Sequence, residues 1–94
     1  MAVHVRIPRA LADDARGATE LTIDLPAGST LADLLIQMRT SHPALARRIV
    51  DETGQLRRFV NVYIGADEAR TLRGLATPIP DAAQVMVVGS VAGG

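Results

Sequence analysis

Apolar positions along the chain change period several times, and each change marks an element. Val3, Val5 and Ile7 alternate with His4 and Arg6, the period-two pattern of a half-buried strand. Pro8 ends it. Residues 9–18 read as a connection with a short helical turn around Leu11-Ala12. After Gly17 a second alternating run begins, with Leu21, Ile23 and Leu25 facing one way and Glu20, Thr22 and Asp24 the other. The two runs predict a hairpin with a long loop. Pro26-Ala27-Gly28 is a turn, and Ser29 or Thr30 caps a helix. With Thr30 at the cap, Asp33 takes the third helical position, where its charge favours the helix dipole. Leu31, Leu34, Leu35 and Met38 follow i, i+3, i+4, i+7, a single apolar stripe about two turns long.

Ser41-His42-Pro43 breaks that helix, because the residue before proline avoids the α region. Leu45 and Ile49 suggest a second, shorter helical piece, and Asp51 to Gln55 form a polar loop. Val60, Val62 and Ile64 predict the clearest internal strand, with Phe59, Asn61 and Tyr63 turned outward. For Phe59 and Tyr63, packing under the helix is favoured over a patch for a partner. Gly65-Ala66-Asp67-Glu68 reads as a turn, and residues 69–80 as irregular structure with room for a brief edge strand. Gln84 to Val88 is the last strand. Its continuous run Val85-Met86-Val87-Val88 suits a central strand covered on both faces. The order of elements fits a sheet with a helix on one face, the chain leaving from the middle of the sheet.

Ninety-four residues make one small domain that buries a bit over ~60% of its extended-chain surface. Phe59 and Tyr63 are its sole aromatics, so the core is aliphatic. Ten acidic residues balance ten basic ones, which argues against nucleic acid as the main partner. Every basic residue is Arg, so no lysine side chain can accept an isopeptide bond. The absence of Cys removes disulfides, thiolate metal sites and thiol nucleophiles. His4 and Arg6 interrupt any signal-like apolar run, and no stretch approaches a membrane span. A cytoplasmic protein without a membrane partner is expected.

The chemistry gathers at the end, Val91-Ala92-Gly93-Gly94. A terminal Gly-Gly arises by chance in roughly one chain in 200. Small-residue ends are also common as plain disordered termini. Yet six residues beyond Val88 span about 20 Å when extended, at ~3.3–3.6 Å each, and glycines pass a narrow gap without a Cβ. Such an arm could carry the Gly94 carboxylate into a partner while the body stays outside.

Three pieces of the chain resemble the ubiquitin-like sulfur carriers, the family of the small subunit of molybdopterin synthase and the thiamine sulfur carrier. They are Pro26-Ala27-Gly28-Ser29-Thr30-Leu31-Ala32-Asp33-Leu34-Leu35, the Val60-Asn61 pair, and Val91-Ala92-Gly93-Gly94. Arg58-Phe59-Val60-Asn61-Val62-Tyr63 and Gly74-Leu75-Ala76-Thr77 are similar to the CysO-like actinobacterial branch, which delivers sulfur for cysteine synthesis. The chain departs from the family's Asp-Gly-Asp-like turn at Asp81-Ala82-Ala83. It also has Gly89-Ser90 where relatives carry proline or an apolar residue.

The resemblance implies an α+β, β-grasp (ubiquitin-like) fold. Its mixed sheet would have four to five strands and one main helix, with a body over 1–88 and a flexible Gly-Gly tail over 89–94. It also implies a chemical cycle. An E1-like adenylating and sulfurtransferase partner uses ATP to activate Gly94, a sulfur nucleophile displaces AMP, and the resulting thiocarboxylate donates sulfur. The acceptor would be an enzyme such as a cysteine synthase. Val91, Ala92 and Gly93 would thread the partner, with Val88 and Phe59 touching it. The carrier would bind no cofactor or metal, would not itself be an enzyme, and would be a monomer when free. Sulfur delivery to molybdopterin, thiamine or a sulfur-containing secondary metabolite would use the same tail. So would a ubiquitin-like modifier joined to lysines, or a regulatory subunit whose tail fills a pocket. His4 and His42 have no clustered ligand pattern, and Arg47-Arg48 and Arg57-Arg58 read as solvated charge.

Overall fold

A computed structural model describes residues 1–89. Strands β1 (Ala2–Arg6) and β2 (Glu20–Asp24) are followed by helices α1 (Leu31–Ser41) and α2 (Pro43–Ile49). Strands β3 (Val60–Ile64), β4 (Asp67–Glu68) and β5 (Gln84–Gly89) complete the fold. The sheet order is β2-β1-β5-β3-β4. β1 and β5 are parallel, and the other neighbours are antiparallel. This is the mixed five-stranded β-grasp arrangement, with the last strand in the middle.

Local chemistry explains the helices. The Asp33 N–H donates to Thr30 Oγ1 at 3.3 Å, and the Thr30 N–H donates to Asp33 Oδ2 at 2.9 Å, a reciprocal capping box. It satisfies two donors that the first turn leaves without partners. The stripe of Leu31, Leu34, Leu35 and Met38 is buried against the sheet. His42 closes α1 with its N–H on the Met38 carbonyl. Pro43 then opens α2 at the first helical position, where a missing N–H costs nothing. Leu45 and Ile49 are fully buried, as the short second piece requires. The connection after β1 is a 3-10 helix over Arg9–Ala15 with Leu11, Ala12 and Ala15 inward. Arg48 of α2 pairs with its Asp14 at 3.3 Å.

Three expectations need correction. The continuous apolar run of β5 is not covered on both faces. Val85 and Val87 are buried, whereas Met86 is 36% exposed and Val88 is partly so. Both helices pack on one face, so a two-layer body leaves the other face of even a central strand open to water. Second, Gly65 to Glu68 is not one turn. Gly65, at φ 63, starts a two-residue loop, and Asp67-Glu68 pair back on Ile64 and Tyr63 as β4. Third, the edge strand sits there rather than within 69–80. That segment forms two 3-10 turns, Ala69–Thr71 and Gly74–Ala76. Pro78 then meets Thr30 in an isolated bridge that ties the loop to the start of α1.

Candidate functional site

Val91, Ala92, Gly93 and Gly94 lie outside the described residues. What the fold builds is the point from which they continue. Strand β1 supports β5 only over Gln84–Met86, with Arg6 opposite Met86 as the last pair. Beyond Met86, no β5 residue among the described residues has a β1 partner in the register. Val87 pairs with Val62, Val88 with Asn61 and Gly89 with Val60. The departure point of the chain end is therefore set by the first residues of β3.

Alternation places Met86 and Val88 of β5, and Asn61 and Tyr63 of β3, on the open face. Tyr63 is the cross-strand partner of Met86. Phe59, just before β3, is 46% exposed, so the expectation that it packs under the helix is incorrect. Helices cover only the face toward which Val60 and Val62 point, and the side chain preceding Val60 falls outside that layer. The Arg58 guanidinium stands over the Phe59 ring, 5.6 Å from its centroid, a cation–π contact that orders an otherwise wet aromatic. Tyr63 is half-buried between its cross-strand neighbours.

The lead-in to β3 is tied down. Asp51 Oδ1 accepts from the Thr53 N–H, the Thr53 hydroxyl and the Gln55 N–H at 2.8, 2.6 and 3.1 Å. These bonds, the Thr53 hydroxyl first, lower the Asp51 pKa below the ordinary carboxylate value. Arg57 donates its N–H to the Ile49 carbonyl at 2.9 Å and its Nε to the Arg47 carbonyl at 2.7 Å. On the far side, Arg70 donates to the carbonyls of Arg57 and Val60 and to Asn61 Oδ1. Sequence patterning missed Arg70, because two of its partners are backbone oxygens that leave no side-chain signature.

The remaining polar groups do not converge. Among the described residues, exposed His4 meets the Thr22 hydroxyl alone, at 3.4 Å. His42 meets Ser41 Oγ at 2.9 Å. Among the described residues no group of three or more His, Cys, Asp or Glu could hold a metal ion, and no helix is long and apolar enough to cross a membrane. A shallow depression lined by Leu72, Arg73, Thr77 and Pro78 lies in the loop between β4 and β5 and contains no acid–base pair.

Comparison with known proteins gives this geometry a family. The model of the ThiS family matches residues 7–94. The sulfur carrier protein CysO of Mycobacterium tuberculosis is 32% identical over the whole of both chains. A chain of the Amycolatopsis orientalis BexX/CysO complex superimposes with a TM-score of 0.83 at 29% identity, covering 99% of this chain and 100% of that one. The small archaeal modifier protein 1 of Methanosarcina acetivorans superimposes with a TM-score of 0.79 at 28% identity, covering 99% and 96%.

Proposed function

The chain belongs to the ThiS family, and from that premise we propose that it is a sulfur carrier working through the carboxylate of Gly94. The observation that carries this reading is kinship with a named sulfur carrier over the full length of both chains, tail as well as body.

A carboxylate resists attack because its leaving group is an oxide. An E1-like partner removes that obstacle with ATP. A Gly94 oxygen attacks the α-phosphorus, pyrophosphate leaves, and the acyl carbon now carries AMP. A hydrosulfide-level nucleophile attacks that carbon, AMP departs, and Gly94 ends as a thiocarboxylate able to donate sulfur. The chain is a protein-bound reagent in this cycle and binds no cofactor of its own; ATP belongs to the partner. Residues 1–88 serve as the body and 89–94 as the tail, Gly89 being both the last paired residue of β5 and the first of the arm. Val91, Ala92 and Gly93 enter the partner. Val88 and Phe59, at the departure point, meet its rim as a monomeric carrier docks. Sulfur then passes to a cytoplasmic acceptor enzyme such as a cysteine synthase, the acceptor suggested by the CysO kinship.

The reading requires a free carboxylate at Gly94. A chain extended by one residue should not be adenylated until that residue is removed, and an extended chain that still accepts sulfur would contradict the proposal. The likeness to an archaeal modifier protein supports a second reading, in which Gly94 is joined to lysines of other proteins. Isopeptide adducts in place of a thiocarboxylate would favour it.

A further inference from the structure

Building on the sulfur-carrier reading, we propose that Arg70 is a positioning residue that fixes where the tail leaves the body. Strand β4 is two residues long and covers only Tyr63 and Ile64 of β3. Among the described residues, the outer edge of β3 at Val60-Asn61 therefore has no strand beside it, yet this is the end that pairs with Val88 and Gly89. Arg70 fills the vacancy. Its Nη1 donates to the Val60 carbonyl at 2.8 Å and to Asn61 Oδ1 at 2.9 Å. Its Nη2 donates to the Arg57 carbonyl at 2.8 Å.

A planar guanidinium presents these donors in a fixed fork. One side chain thus joins the turn before β3, the first strand carbonyl and an outward side chain. Glu68 Oε1, 3.4 Å from Nη1, steadies the guanidinium from β4. The Arg57 carbonyl also accepts the Val60 N–H at 3.0 Å, so the clamp closes on a turn already formed. Because the β1 register ends at Met86, loosening Val60-Asn61 loosens the one pairing that Val88 and Gly89 make among the described residues. A partner would then have to order those residues during docking, which weakens binding without touching the reacting carbon.

The test uses the full chain with Arg70→Ala and Arg70→Lys. Amide exchange followed by NMR in the free protein should quicken about tenfold (~1.4 kcal/mol) at residues 60, 61 and 88, and stay unchanged along β1 and β2. With an E1-like adenylating enzyme from the same organism, followed by pyrophosphate release, KM should rise several-fold while kcat holds. Arg73→Ala removes a charge from the same loop but no bond to β3, and should leave both readouts alone. Unchanged exchange in Arg70→Ala would overturn the proposal. Wild-type behaviour of Arg70→Lys would also overturn it, because charge rather than the fork would then suffice. So would faster exchange with an unchanged KM. If Arg70→Ala fails to fold, Arg70→Lys carries the same readouts. A wild-type chain that is never adenylated would sink the sulfur-carrier reading instead, and the exchange arm would then decide whether Arg70 clamps this ladder.

Discussion

Ala82 holds a positive φ of 66° in the turn before β5, where a Cβ crowds the following carbonyl. The resemblance placed a glycine-containing turn here, and the backbone keeps the bend with an alanine in it. Ala82→Gly should raise stability on the order of 0.5–1 kcal/mol, seen as a higher thermal midpoint; a lower one would show that the bend imposes no strain. Asp51 gives a second expectation. Its carboxylate is stabilised in the folded state, chiefly by the Thr53 hydroxyl, and its pKa is lowered. A lowered folded pKa adds stability that is complete above the unfolded value, about 3.9, and fades as pH falls through the folded one. Asp51→Asn should therefore flatten the acid limb of the stability curve between about pH 5 and the lowered pKa. An acid limb of unchanged slope would show that the Asx turn is electrostatically silent.

At the scale of elements, α1 is the best-determined piece, since both its cap and its stripe are local. Leu34 and Leu35 are 1% and 6% exposed. Either residue replaced by Ala should cost ~2–5 kcal/mol in denaturant unfolding, whereas a loss under ~0.5 kcal/mol at both would contradict the helix-on-sheet packing. The capping box and this stripe were legible because spacing alone encodes them. Strands β1, β2 and β3 were legible for the same reason, their alternation matching the burial. What spacing could not show was which faces the helices would cover. Met86 sits in an apolar run, and only the number of layers in the fold decides that it meets water. Phe59 was misjudged on the same ground. The two residues of β4 are too few for a period to declare itself. Arg70 reaches carbonyls 10 and 13 residues away, and no composition or periodicity marks such a bond.

For the whole molecule, the parts fall into a body and a point of departure. The sheet places β5 at its centre, lets it outrun the β1 register, and pairs Val87, Val88 and Gly89 with β3. The open face beside that end carries Met86, Val88, Tyr63 and Phe59, the surface that the proposed docking would use. The sequence proposes the site as chemistry, in the carboxylate of Gly94, which lies outside the described residues; the pairing of Val88 and Gly89 with the start of β3 appeared only with the fold. A chain without lysine offers no lysine amine to an activated Gly94, so an isopeptide bond to lysine would have to form on another molecule. Intact-mass spectrometry tests this account most directly. The chain would be incubated with an E1-like adenylating enzyme, ATP and a sulfide source. The account predicts one oxygen exchanged for sulfur, mapped by fragmentation to Gly94, and no exchange when ATP is withheld. An unaltered terminus under adenylating conditions, or sulfur placed elsewhere in the chain, would contradict it.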